Sequence, residues 1–563
     1  MKKKLVTILL CAATLACSIP AMAQAYGRTS SDSYYRRGYS DVLDIRAGYP
    51  GRLREKITER EMRYARMVII DGEINGEDIA VLRKLCSRGS CYDSNDRSID
   101  NYVDLDLSRA RIVSGGSYYS SYRATREEIG EYMFYNCSAL RSVVLPEWTN
   151  CIRKKAFYGC NNLEDVMMPR GVRFIDDEAF SGCRRLRRVD LPDGLERIGK
   201  QAFYNCYELP NVYLPRTLRE IGSEAFRYCP IRDIRFPNNL RTVGERAFSN
   251  TKLTRLDIPA SLNLEGSIGS ISTLTSINVE NGHPVYSSID GILYTDHGAT
   301  LTIFPSGRGG DVNVPEGVTL IGKYAFSGSG VRSVYLPEST TTIGAGAFSG
   351  CSNLSNISFA ATLKAIGDEA FNGCSSITSF VLPEGLTEVR KGTFKGCKKM
   401  VQVDLPASLT DIGQDAFRDC ESLRIIKFPE GLRSIGKEAF RNCKSLDGVV
   451  VPGSVTTLSY KAFNECHSMT SITLNEGLKI IEESALDNCN LLSLTIPSTV
   501  QVIDKKMVEK NKNLQKIMVL ATTPPALKSD SEKKVPLYVP AQSLELYKNT
   551  KPWKNYKTIL PIE

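Results

Sequence analysis

The strongest constraint on this chain is a phrase that returns every 23 residues. Cysteines stand at Cys137, Cys160, Cys183, Cys206 and Cys229, and again at Cys351, Cys374, Cys397, Cys420, Cys443, Cys466 and Cys489. A phenylalanine three residues ahead of each keeps step, from Phe134, Phe157, Phe180, Phe203 and Phe226 to Phe348, Phe371, Phe394, Phe417, Phe440 and Phe463, with Leu486 in that slot of the last unit. Phe248 and Phe326 mark two units without the cysteine. The full phrase, Leu-x-x-Ile-x-Leu-Pro-x-x-Leu-x-x-Ile-Gly-x-x-Ala-Phe-x-x-Cys, is spelled almost completely by Leu186 to Cys206. A fixed period of this length marks a solenoid, because one unit cannot bury its own apolar face and must stack on the next.

Within each unit the pattern assigns local structure. Leu186, Val189 and Leu191 end in period-two alternation, which suits a short strand. Pro192 stops it, having no N–H to extend a ladder. Leu195 and Ile198 turn inward on the return path and Gly199 supplies a tight bend. Ala202, Phe203 and Cys206 are spaced for one face of a short helical turn. Stacking these units at ~4.8 Å predicts an α/β solenoid. Its features are one long parallel sheet, short helical turns opposite, and a cap at each end.

The same spacing explains the cysteines. Each falls at one place in its turn, so the twelve form a buried column of small, well-packing side chains. Metal-ligating cysteines come as close pairs rather than singly, and disulfides between neighbouring rungs need a specific geometry. Two other cysteines depart from the period. Cys86 and Cys91 close a C-x4-C loop and are expected to form a local disulfide. Cys151 precedes Ile152, whose slot matches Ile198, so it should point away from the core as an exposed or partly covered thiol.

The phrase, recurring in more than a dozen units between about residues 129 and 520, resembles the BspA-like (treponemal-type) leucine-rich repeat of bacterial surface proteins. The flanks resemble that family too. Ile74-Asn75-Gly76-Glu77-Asp78-Ile79, Leu105-Asp106-Leu107-Ser108 and Ile112 to Gly116 are similar to its N-terminal cap. Ala521-Thr522-Thr523-Pro524-Pro525, Leu537 to Pro540 and Tyr547 through Trp553 are similar to its C-terminal cap. The resemblance implies a secreted protein of the kind found in Bacteroidetes, with adhesion to host proteins as its role. The domain reading is a signal peptide at 1–23, a flexible linker at 24–45 and an N-terminal cap at 46–128, with a helix near Gly76 to Leu85. Repeats follow at 129–279, a β-hairpin insertion at 280–310, repeats again at 311–520 and a C-terminal cap at 521–563. The insertion rests on two alternating runs, Tyr286 to Tyr294 and Leu301 to Pro305, around Asp296-His297-Gly298.

The N-terminus carries an export signal. Lys2, Lys3 and Lys4 precede an apolar run from Leu5 to Ala16, and Ala21-Met22-Ala23 offers a cleavage site. Lipidation at Cys17 is the alternative, disfavoured by Thr14. The chain carries +9 over 563 residues, and removing the three lysines leaves +6, too little to indicate nucleic acid. No stretch is apolar enough to cross a membrane.

Catalytic signatures are missing. Only three histidines exist, His283, His297 and His467, and no P-loop, G-x-S-x-G or H-E-x-x-H occurs. Asp290 and Asp296, beside the hairpin, are the one carboxylate pair for a polysaccharide hydrolase. The reading is therefore a non-enzyme without cofactor or metal. What remains is the outward face of the strands, where Arg188, Asp190, Asn211, Tyr213, Asp233, Arg235, Arg255 and Asp257 form a patch in the residue types that binding hot spots favour. The plainer reading has Arg and Asp pairing across neighbouring strands. Further along, Ser355, Ser358, Ser379, Ser471, Thr473, Ser493 and Thr495 make a blander ladder. The expectation is a monomeric exported protein, at the cell surface or outside the cell. It binds a host matrix protein, another bacterial surface or a glycan through this face. A periplasmic scaffold without a dedicated ligand is the alternative.

Overall fold

The computed structural model describes residues 42–562, apart from 89–90, 93–97, 100–101, 265, 267, 269, 505 and 529–533. The export signal, Cys17 and nearly all of the 24–45 linker lie outside the described residues. The chain is a β-solenoid whose turns match the 23-residue phrase. Each turn has three sides: a front strand (Leu-x-x-Ile-x-Leu), a back strand (Leu-x-x-Ile) and a turn segment (Ala-Phe-x-x-Cys).

The turn segment carries the most continuous bonding. Lys155, Phe157 and Gly159 donate their N–H groups to the carbonyls of Asp177, Ala179 and Ser181 on the next rung, at 3.0, 2.7 and 2.8 Å. The pattern repeats down the solenoid, for example Phe180 to Ala202, Phe371 to Thr393 and Phe440 to Ala462. This segment is not the helical turn expected from its spacing. The residue before Ala and the residue before Cys both sit in the left-handed region, as at Gln201 (φ 54°) and Asn205 (φ 62°). Two such residues per rung exclude a helix. They also explain why Gly, Asn or Asp so often precedes the cysteine, as Gly159, Gly182, Asn205, Asp419 and Asn442 do.

Inside this segment the phenylalanines form two stacks. Phe134 to Phe248 hold ring centroids 5.1–5.6 Å apart, and Phe304 to Phe463 hold them 4.6–5.6 Å apart. Each side chain is fully or almost fully buried, and burial of one such ring contributes about 1.5–3 kcal/mol. The cysteine column lies beside them. Cys160, Cys183, Cys206 and Cys229 donate their S–H groups to the carbonyls of Phe134, Phe157, Phe180 and Phe203 on the rung before, at 2.9–3.3 Å. Where the cysteine is missing, another donor occupies its slot: Thr251 to Phe248 O at 2.7 Å and Asn511 to Leu486 O at 2.9 Å. Ser329 fills the same slot, 3.4 Å from Cys351. The slot thus requires a small side chain that can donate, and cysteine meets both demands.

The return path is itself a strand rather than a simple bend. Seven back strands from Glu128–Ile129 to Asn263–Leu264 pair in parallel, and seven more run from Glu388–Val389 to Ala526–Leu527. Gly222 follows one of them because a Cβ there would sit 2.5 Å from Lys200 N on the rung before. The front side is not one long sheet. It divides into segments, one ending at Arg188–Val189 and the next starting at Arg255–Ile258. Arg187 N–H donates to Glu164 O at 2.9 Å, whereas Pro210 in the same slot has no N–H to give.

Strand Val42–Arg46 pairs in parallel with strand Met67–Ile74, Val42 opposite Met67 and Arg46 opposite Asp71, so regular pairing begins a few residues before the expected boundary at 46. The expected helix is Gly76–Cys86, capped by Asn75. Cys86 ends it on the buried face, next to Cys137, and its thiol is free. The helix orientation turns Cys86 into the core, and the expected Cys86–Cys91 disulfide falls partly on residues outside those described. The side chain of Cys91 lies outside the described residues. At the other end Tyr547 and Trp553 are buried and donate to Ala521 O and Pro525 O at 2.7 and 2.8 Å.

The insertion is a three-stranded antiparallel meander of Ser287–Ile289, Ile292–Thr295 and Thr300–Ile303, and its last strand pairs in parallel with Leu320–Ile321. It separates two cores. Leu293 packs with the N-terminal one, while Ile292 and Tyr294 pack with the C-terminal one. Phe304 then restarts the phenylalanine stack.

Two predictions follow from the column. Cys206→Ala removes the bond to Phe180 O and leaves a small void, at a cost of about 1–2 kcal/mol. Cys206→Ser keeps a donor and should shift the urea midpoint less; the opposite order would reduce the slot to apolar packing. The second concerns pH. Burial pushes the thiols up from 9.0, Cys397 to about 12 and Cys137 to about 11. A raised folded-state pKa stabilises fully below the unfolded value and is lost above it. Stability should therefore be flat through neutral pH and fall from about pH 9 upward, by about 1.4 kcal/mol per thiol per pH unit. Denaturant titrations between pH 7 and 11 check this.

Candidate functional site

Along the front strands, alternation sends every second side chain out. Val189, Val212, Ile234 and Leu256 are buried, while Arg188, Asp190, Asn211, Tyr213, Asp233, Arg235, Arg255 and Asp257 are all exposed. All eight predicted residues thus lie on one face, spread over four successive rungs.

Their electrostatics differ from the expected cross-strand pairing. Arg188 grips Asp190 on its own strand, Nε to Oδ1 at 3.2 Å and Nη2 to Oδ2 at 2.5 Å. This carboxylate holds the guanidinium pKa above its ordinary value. Arg255 Nε likewise donates to Asp257 Oδ1 at 2.7 Å. Residues two apart on one strand share a face, and the long arginine side chain reaches along the strand to the carboxylate there. The chain of contacts continues from Asn278 Nδ2 to Asp257 Oδ1 at 2.9 Å and from Ser276 Oγ to Asn278 Oδ1 at 3.1 Å. Both ion pairs are exposed and add little stability.

Between these pairs lie the two rungs outside the front ladder. Asn211, Tyr213, Asp233 and Arg235 sit there outside any strand, and among the described residues their side chains make no hydrogen bond or ion pair. Tyr213 is 82% exposed. The centre of the patch is unbraced, and its two ends are internally neutralised.

The other predicted positions come apart. Asp290 pairs with Arg308 at 2.7 Å, and Asp296 accepts from Thr300 Oγ1 at 2.7 Å. They sit at opposite ends of strand Ile292–Thr295, whose four residues alone span roughly 13 Å. Paired glycosidase carboxylates stand about 5–9.5 Å apart, so this pair does not form such a site. Cys151 does leave the core but is only 2% exposed, covered on the back ladder beside Arg153 and Asp176. It is not an exposed thiol, and burial, with Asp176 nearby, pushes it to about 12. Among the described residues no three His, Cys, Asp or Glu side chains group to hold a metal ion.

The structure also presents surfaces that the sequence reading passed over. Tyr122, Tyr132, Tyr135 and Tyr158 stack at 4.9–5.3 Å along the turn side, with Lys155 Nζ 5.6 and 5.4 Å from the rings of Tyr132 and Tyr158. Beside them a recess of about 300 Å³ is lined by Tyr119, Tyr122, Glu128 and Arg153. Trp148 is 60% exposed, with Arg111 5.8 Å from its ring. The signal for the tyrosine row was the residue after each column phenylalanine, tyrosine in Phe134-Tyr135 and Phe157-Tyr158.

Comparison with known proteins agrees with this architecture. The family described as "BspA type Leucine rich repeat region (6 copies)" matches residues 127–254, 196–288, 306–424 and 387–515. Among solved structures the chain is similar to a leucine rich cell surface protein from Faecalibacterium prausnitzii, at 25% identity over 69% of this chain and 93% of that one, with a TM-score of 0.47. A leucine-rich repeat protein from Bacteroides ovatus is similar at 23% identity over 83% and 94%, with a TM-score of 0.41. One from Eubacterium ventriosum is similar at 19% identity over 64% and 85%, with a TM-score of 0.46. No curated protein matches the chain. With the repeat family matched over well more than half of its length, the chain belongs to the BspA-type leucine-rich repeat family.

Proposed function

We propose that this protein is an adhesion molecule exported to the bacterial surface, where it holds a partner against the front face of its solenoid. One observation carries the reading. Tyr213, Asp233 and Arg235 stand exposed and unbraced between two self-neutralised Arg–Asp pairs. Buried polar networks hold folds together, but this set contributes nothing to the fold, so its residue choice is free to serve a ligand. A solenoid presents such side chains in a row, which suits an extended partner. The export signal and the resemblance of the repeats support surface display. Among the described residues no helix is long and apolar enough to cross a membrane.

Protease shaving of intact cells tests the location. Peptides from the front strands should be released while periplasmic proteins stay intact. If they appear only after the outer membrane is broken, adhesion fails and a periplasmic scaffold becomes the account. For the face itself, the double variant Tyr213→Ala/Arg235→Ala should lower attachment of the purified protein to its target surface about tenfold or more, as expected for a hot-spot pair. Its urea midpoint should stay within about 0.5 kcal/mol of the parent, as for surface changes generally.

A further inference from the structure

We infer that the partner of the front patch is a neutral, linear glycan lying along the solenoid axis, with about one sugar per rung. The inference rests on the front-face reading above and narrows it to one class of ligand.

Residue chemistry separates a glycan from a protein. Seven of the eight patch positions are Arg, Asp or Asn and the eighth is Tyr213. Arg and Tyr are common to protein interfaces, but the centre of such an interface is depleted of aspartate and rich in apolar groups, whereas this patch carries three aspartates, no aliphatic side chain and one ring. Sugars ask for what it offers. A hydroxyl both donates and accepts, so adjacent hydroxyls bridge well to planar groups such as guanidinium, carboxylate and carboxamide. The C–H face of a pyranose needs one exposed ring, and Tyr213 provides it.

Charge balance then selects a neutral chain. Arg188, Arg235 and Arg255 are matched by Asp190, Asp233 and Asp257, so the patch carries no net charge. A polyanion would meet three carboxylates. The Arg188–Asp190 pair and the Arg255–Asp257–Asn278 chain are already fixed by their own contacts. They therefore present donors and acceptors with little ordering left to lose on binding.

Spacing completes the argument. Through this region the rungs advance by 5.2–5.6 Å, measured at the phenylalanine column from Phe180 to Phe248. An extended 1,4-linked pyranose chain advances by a similar distance per sugar. Four rungs, from Leu186 to Ile258, therefore match a stretch of about four sugars.

Affinity electrophoresis in native gels tests this, with xylan, glucomannan, mixed-linkage β-glucan and galactan as neutral probes and chondroitin sulfate as the acidic one. At least one neutral probe should retard the full-length protein more than chondroitin sulfate does. Tyr213→Ala should abolish most of that retardation, a loss of about tenfold in affinity. Tyr213→Phe should keep it, and Thr473→Ala on the C-terminal half should leave it unchanged. Affinity for oligosaccharides of the bound polymer should rise up to about four sugars and then level off. Retardation by none of the neutral probes, or equal retardation of Tyr213→Ala, overturns the inference. The same variants are then tested on immobilised matrix proteins. Tyr213-dependent binding there, without polysaccharide binding, defeats the glycan and leaves the front-face reading standing. If neither surface responds to Tyr213 or Arg235, both fall together.

Discussion

Rung-to-rung hydrogen bonding at the turn segment is the interaction on which the rest of the solenoid depends. Three backbone bonds per step tie each Ala-Phe-x-x-Cys to the next, and the cysteine thiol adds a fourth by reaching back to the phenylalanine carbonyl. A buried carbonyl with an unfilled lone pair is costly. A stack of identical rungs meets that cost at every step, so one good solution is repeated rather than varied. The replacement Asn511 shows the constraint directly, since its amide reaches back to Leu486 O on the rung before, whereas Thr251 donates to Phe248 O within its own rung. The phenylalanine stack depends on the same register, because a rung displaced along the axis would lose ring contact on both sides.

This concentration of bonding on one side frees the other. The back ladder runs with few interruptions, but the front ladder breaks repeatedly. At Pro210 the missing N–H opens a gap that the turn segment and back strands bridge on either side of it. Front-face side chains are therefore relieved of structural duty, and the patch from Arg188 to Asp257 sits at the longest such break. The meander at 287–303 stands where one core and one phenylalanine stack end and the next begin, and its last strand starts a new run of the back ladder. Strand Ile292–Thr295 faces both cores, so the insertion serves as a shared wall.

Much of the fold was legible from residues alone. Leu, Ile, Phe and Cys at fixed spacing identify a solenoid, its inward positions and its caps, because burial is decided by side-chain type and period. The outward placement of Arg188 and Tyr213 followed from period-two alternation. Other features were not legible. Ala-Phe-x-x-Cys has helical spacing, yet Gln201 and Asn205 adopt left-handed backbone because the N–H groups bond to the next rung rather than within the segment. Cys86 could not be placed without the orientation of helix Gly76–Cys86, and Cys151 could not be judged covered without Arg153 and Asp176 from neighbouring strands.

The amino-acid sequence by itself determined the repeat, the buried column and the face on which variable residues stand, since these depend on chemical type and interval. Only the tertiary structure decided how the outward residues are used. Arg188 and Arg255 are neutralised on their own strands while Tyr213 and Arg235 remain unbraced. That difference depends on which rotamers the outward side chains adopt and on what stands within their reach, and residue type and period do not contain either.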